Sequence, residues 1–207
     1  MGMQTLNAIR LSQELLLPKV ARARCIVDAT AGNGKDTLFL AENSPEHGVI
    51  YAFDIQENAI ETSRERLMEH NLDGKVQLIL DSHANIRSYI NKPIDVAMFN
   101  LGYLPGKCHE TMTMAESTVS ALTDVVDQLS VGGIISVVAY PGHNHGQEEN
   151  NAVRKYIMTL QPKQFTVICI DMINHLNHPP ILYMIEKIRS ESEASTNQSY
   201  GVPSLEI

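Results

Sequence analysis

CIVDATAGNGKDT, residues 25–37, is the most informative stretch of this 207-residue chain. Its first part is apolar and closes on Asp28, which predicts a short buried strand over 25–30. Its second part carries Gly32 and Gly34 and leads into a helix over 36–43. Glycine belongs where the backbone turns sharply after a strand and a ligand must come close to it. The pattern is not G-x-G-x-x-G, because Thr37 stands at the third glycine position counted from Gly32. It is not a phosphate loop either, since no GK[ST] follows. Two glycines alone also fit an ordinary strand–helix turn.

On both sides of this stretch, strand and helix alternate. A first amphipathic helix carries Leu6, Ile9, Leu11, Leu15 and Leu16 and closes near Pro18. Strands are predicted over 48–55, 76–82, 94–101, 134–140, 165–172 and 181–187. Helices are predicted over 58–71, 113–129 and 146–161, the second stopped by Gly132-Gly133 and the third by Pro162. Apolar strands separated by helices imply a parallel sheet covered on both faces. No long helix separates the last two strands, so they can pair antiparallel. A mostly parallel seven-stranded sheet ending in an antiparallel hairpin is the Rossmann-like α/β arrangement of class I S-adenosylmethionine-dependent methyltransferases. One domain over 1–188 is expected, with 1–24 as N-terminal helix and linker. The Ser-rich stretch 189–207 reads as a flexible tail.

The tips of successive strands carry polar groups at one sheet edge. Asp54 ends the second strand, 22 positions after Gly32. An acid there can accept both ribose hydroxyls of an adenosine ligand, although a helix cap is the plainer reading. Asp81, Ser82 and His83 stand at the third strand's tip and can hydrogen-bond or stack on adenine. The fourth strand ends in NLGYLPG, residues 100–106. Asn100 can accept a hydrogen bond from an amino group, and Tyr103 can stack on a planar substrate. The fifth ends in AYPGHNHGQEE, bringing Tyr140, His143, His145 and Glu148 to the same edge. An H-x-H pair without a third ligand is a weak metal signal, and His175 and His178 fit a hairpin loop held by Pro179-Pro180.

Composition sets the outer limits. Hydrophobic residues are 43% and charged residues 19%, an ordinary globular balance. No apolar run approaches the roughly 18 residues of a membrane helix. Cys25, Cys108 and Cys169 form neither a disulfide framework nor a metal pair, which fits a reducing cytoplasm. The net charge of −8 offers no global attraction to nucleic acid. Residues 1–24 are the local exception, with Arg10, Lys19, Arg22 and Arg24 against Glu14 alone. They form a candidate RNA-binding patch or a solvated face.

DATAGNGKDT, AFDIQ, DSHANI, NLGYLPG, YPGHNHGQEE and the loop before LYMIEK together resemble the family long labelled rRNA methylase. Bacterial members of it methylate 5-aminomethyl-2-thiouridine in tRNA. NLGYLPG is similar to the Asn-Pro-Pro-Tyr loop of amino-group methyltransferases, with Leu-Gly in place of Pro-Pro. The resemblance covers residues 1 to about 188. It implies S-adenosylmethionine as cofactor, with contacts carried over to Asn33, Asp36, Asp54, Gln56, Ser82 and His83. Asp28, Thr30, Gly32, Gly34, Thr37, Asp81 and Asn100 complete the expected cofactor set. Asn100, Tyr103 and His143 are the expected catalytic residues, and Arg10, Tyr103, Tyr140 and His143 the expected substrate contacts. No metal is expected. The partners implied are the anticodon loop of tRNA and, for the chain itself, a homodimer; no membrane is involved. A methyltransferase of rRNA or of a small amine, and a nucleotide binder without catalysis, stand as alternatives. An NAD oxidoreductase is disfavoured by the glycine pattern.

Overall fold

Cys25–Asp28 (β1) is buried at every position, as a central parallel strand must be. It pairs with Val49–Asp54 (β2) on one side and Ile94–Leu101 (β4) on the other, parallel to both. Val76–Leu80 (β3) extends the sheet beyond β2, and Leu129–Ala139 (β5) extends it beyond β4. Phe165–Ile170 (β6) and Ile181–Lys187 (β7) form the antiparallel hairpin, with β7 against β5. The seven-stranded order is β3-β2-β1-β4-β5-β7-β6. The computed structural model describes residues 7–102, 115–142, 146–176 and 178–192.

The strands' alternation feeds two cores. Ile26, Ile50, Val96, Met98 and Val138 face Ala8–Val20 (α1), Lys35–Asn43 (α2) and Glu57–Glu69 (α3) through Leu16, Leu40 and Leu67. Val27, Phe53, Ala97, Phe99 and Val137 face Ile86–Tyr89 (α4), Ala115–Gln128 (α5) and Gly146–Ile157 (α6) through Ile86, Val125 and Val153. No helix among the described residues is long and apolar enough to cross a membrane.

Several boundaries differ from the sequence reading, each for a local reason. α1 does not close near Pro18 but runs on to Val20, because Leu16 and Val20 are fully buried and hold its last turn against the sheet. Leu6 lies outside the described residues. β1 stops at Asp28, whose carboxylate turns back to take the Thr30 N–H at 3.1 Å. β3 stops at Leu80, where Asp81 turns its carboxylate onto the N–H of the next residue, Ser82, at 2.7 Å. The glycine pair does not stop α5. That helix ends at Gln128, and Leu129 already pairs with Ile94. Gly132, at φ +81°, sits where the β4–β5 register then shifts. α6 ends at Ile157, four residues early, as the chain tightens into i→i+3 bonds at Thr159 and Leu160.

Candidate functional site

The parallel strands bring the ends of β1, β2, β3, β4 and β5 to one edge. The β1–α2 loop crosses this edge held by hydrogen bonds from β1, β2 and α3. Asp28 is 1% exposed, and its oxygens accept from the Thr30 N–H and, at 2.6 Å, from the Thr37 hydroxyl. The Gly32 N–H donates to Asp54 Oδ2 at 2.9 Å, and Ser63 Oγ donates to the Gly32 carbonyl at 3.0 Å. The Arg66 guanidinium donates to the Asn33 carbonyl at 2.7 Å. Gly34, at φ +72°, leaves no room for a side chain, since a Cβ there would lie 2.8 Å from Ser63 Cα. Burial pushes the Asp28 carboxyl up to about 7, with the nearby Asp36 carboxylate next in effect and the Thr37 and Thr30 bonds opposing. Asp28 therefore shapes the loop, with both oxygens already engaged inside it.

Asp54 holds two loops at once. Its Oδ2 takes the Gly32 N–H and its Oδ1 the Gln56 N–H, each at 2.9 Å. A carboxylate has about four acceptor positions, so each oxygen keeps one for another donor. Ile55 follows it at the same edge and is 52% exposed. Beyond β3, His83 is 7% exposed. Its Nδ1 lies 3.1 Å from the Ala29 carbonyl, so Nδ1 carries the hydrogen and Nε2 is left as an acceptor. Nε2 is buried with no partner, a costly arrangement in a protein without a ligand. Burial lowers the His83 pKa, so the ring is neutral at pH 7. Asp81 is otherwise occupied: it takes the Ser82 N–H, the Asn85 amide at 2.9 Å and the Tyr89 hydroxyl at 2.9 Å. These hydrogen bonds hold its carboxyl below its usual value. Ser82 Oγ accepts the Ala84 N–H and caps the short turn that carries His83.

At the centre, a chain of hydrogen bonds joins four elements. The Asn100 backbone N–H donates to Thr30 Oγ1 at 2.7 Å, tying β4 to the glycine loop. The Asn100 amide nitrogen donates to Asp36 Oδ2 at 3.0 Å, and Gln13 of α1 donates to Asp36 Oδ1 at 2.8 Å. The Tyr140 hydroxyl donates to Asn100 Oδ1 at 2.8 Å. Burial first, and the Asp36 charge second, push the Tyr140 phenol up to about 12. It therefore stays protonated and a donor. Gly102 lies against the Tyr140 ring, where a Cβ would sit in ordinary van der Waals contact at 3.5 Å.

Of the expected residues, Asp28, Thr30, Gly32, Asn33, Gly34, Asp36, Thr37, Asp54, Gln56, Ser82, His83, Asn100 and Tyr140 lie at this edge. Tyr103, His143 and His145 fall outside the described residues. Among the described residues no group of three or more His, Cys, Asp or Glu side chains could hold a metal ion. The basic residues of the N-terminal segment do not form one patch. α1 runs from the site edge, where Gln13 meets Asp36, to the opposite edge, where Lys19 meets the Gly132 carbonyl and Glu186. Arg10 is at the site end, ion-paired to Glu14 at 2.8 Å; Arg22 and Arg24 are exposed at the far end, where β1 begins. Gln13, Ser63 and Arg66 escaped the sequence reading. Ser63 carried a signal, as a small polar residue within the apolar stripe of Ala59, Ile60 and Leu67.

The set fits an adenosine-bearing ligand: paired acceptors on Asp54, an exposed aliphatic side chain beside it, and an orphan acceptor on His83. Residues 50–186 match the family model described as "Putative rRNA methylase". The tRNA (mnm(5)s(2)U34)-methyltransferase of Arabidopsis thaliana chloroplasts is 31% identical over 179 residues, covering 81% of this chain and 65% of that protein. The chain thus spans just under two thirds of that relative's length. A crystal structure of a "putative rRNA-methylase" from Clostridium thermocellum superposes with a TM-score of 0.86 at 41% identity, covering 90% of this chain and 100% of the other. A "putative methyltransferase" from Streptococcus mutans, solved in complex with SAH, gives 0.81 at 36% identity, covering 89% and 99%.

Proposed function

Since the chain belongs to the rRNA methylase family, we propose that it methylates the primary amine of wobble-position 5-aminomethyl-2-thiouridine in tRNA. At the coarser level it is a methyltransferase of RNA, and S-adenosylmethionine is its methyl donor. The chloroplast relative's named activity and the SAH complex of the Streptococcus mutans protein support this reading. Asp54 would hold the ribose and His83 Nε2 would accept a hydrogen bond from the bound group, with Asn33, Gln56 and Ser82 around them. When bound, that cofactor supplies a methyl already activated on a sulfonium.

The protein's task is then alignment and exclusion of water. The observation that carries the amine target is the Asn100 amide. Its NH2 is turned to Asp36, so what it offers outward is an oxygen that accepts one bond from Tyr140 and has room for a second. An acceptor suits an amine, which must give up an N–H contact while its lone pair points elsewhere. The amine would attack as a neutral group: its lone pair forms the C–N bond as the methyl's bond to the sulfonium breaks and leaves a neutral thioether, and the resulting ammonium then gives up a proton. In this reading Tyr103 stacks on the extruded base and His143 receives the proton. Anticodon-loop bases are suitable targets because they are single-stranded and can be splayed out, with Arg10 placed for a phosphate.

The test is methyl transfer by the purified protein from labelled cofactor to tRNA carrying 5-aminomethyl-2-thiouridine, with unmodified tRNA and ribosomal RNA alongside. Label confined to the aminomethyl nucleoside is expected. Label in ribosomal RNA with none in tRNA would overturn the target.

A further inference from the structure

We propose that Gln13, on α1, is a positioning residue for methyl transfer: acting through Asp36, it fixes which end of the Asn100 amide faces the target. This rests on the reading of Asn100 as the group that meets the amine.

The two ends of an amide have nearly the same shape and opposite chemistry, one accepting and the other donating. A flipped Asn100 would present N–H groups, which would donate to the amine's lone pair and tie up the electrons that must attack. Something must therefore enforce the orientation, and Asp36 is the group able to do so. Its carboxylate only accepts, so the Asn100 NH2 has to turn toward it, at 3.0 Å. Asp36 is 7% exposed, which leaves it little help from water. Its other oxygen is satisfied by Gln13 Nε2 at 2.8 Å. With Gln13 gone, that oxygen loses its donor, and the carboxylate is free to rotate off Asn100. Tyr140 closes the far end of the chain but cannot replace Asp36, because a hydroxyl both donates and accepts and tolerates either amide orientation.

Gln13 is also held from behind. The preceding residue, Ser12, is fully buried and donates to Ser136 Oγ at 2.9 Å, pinning this turn of α1 to β5. The helix thus enters the site at a set height, and it does so from outside the stretch 50–186 that matches the family model.

Gln13→Met keeps the side-chain length and removes the donor. Two measurements are made on this variant and the parent. In methyl transfer to tRNA, kcat should fall about tenfold to a hundredfold, the scale expected when a reacting group is misaligned by about an ångström. KM for the cofactor should stay within twofold. In 15N-labelled protein without cofactor, the Asn100 side-chain amide signals, identified by their loss in Asn100→Ala, should shift and exchange faster with solvent. If Gln13→Met unfolds at assay temperature, Gln13→Ala removes the same donor without bulk. An unchanged kcat, or unmoved Asn100 amide signals, overturns the role of Gln13. A parent protein that transfers no methyl to RNA overturns the functional reading instead, and the amide signals still decide whether Gln13 orients Asn100.

Discussion

Asp54 does two things with one side chain. It pins Gly32 and Gln56, and each of its oxygens keeps an acceptor position for a further donor. Asp54→Ala should weaken binding of the cofactor or its product by at least about 1–3 kcal/mol by calorimetry, the range for charge-assisted hydrogen bonds. Unchanged affinity would remove it from the site. Gly34→Ala should destabilise the fold by about 2 kcal/mol in chemical denaturation, since it forces a left-handed φ on alanine and drives a Cβ into Ser63 backbone. Asp28 gives a pH signature. Its folded-state pKa is raised to about 7 from 3.8. The folded protein therefore binds the extra proton, and stability from this group is fully present below 3.8 and falls as pH rises toward 7. Asp28→Asn should flatten the decline in melting temperature between these values; a parallel slope would place the titration elsewhere. At this scale the sequence was most legible where a strand tip carried an acid, as at Asp54. Gln13 was illegible because its partner Asp36 lies 23 residues away on another helix, and nothing in α1's own pattern marks it.

The helices and strands were legible where burial repeats, and less so at their ends. The inner strands β1 and β4 stood out because parallel strands covered on both faces are continuously apolar, whereas β6, antiparallel and largely exposed, was marked by its β-branched residues. The boundaries moved where a single side chain took over the backbone, as Asp28 and Asp81 do, or where packing overrode a breaker, as Leu16 and Val20 do at Pro18. Charge along α1 could not be read as a patch, since its two ends reach opposite edges of the sheet. The consequence is testable by salt titration of tRNA binding. Arg10→Gln should reduce the log–log salt slope by about 0.7 to 0.9, one phosphate contact, whereas Arg22→Gln and Arg24→Gln should leave it unchanged. Equal losses at all three positions would show that RNA wraps around the far edge as well.

For the whole molecule, alternation of strand and helix with a final hairpin was enough to give the mostly parallel sheet. It was not enough to give the order β3-β2-β1-β4-β5-β7-β6, because insertion of β7 between β5 and β6 depends on long-range pairing with no local trace. The parallel direction of β1 to β5 places their polar tips along one edge, and that order sets them side by side, where they can act together on a sulfonium methyl and an amine. Such a transfer needs no Lewis acid, so activity should survive EDTA; loss on chelation with recovery on adding zinc would require a different mechanism. The identity of the methyl acceptor can be read by nucleoside mass spectrometry of total tRNA from a strain lacking this gene. In that strain 5-aminomethyl-2-thiouridine should accumulate and its N-methylated product disappear, and the parent gene, but not its Asn100→Ala form, should reverse both changes. An unchanged wobble-nucleoside profile would contradict this acceptor assignment.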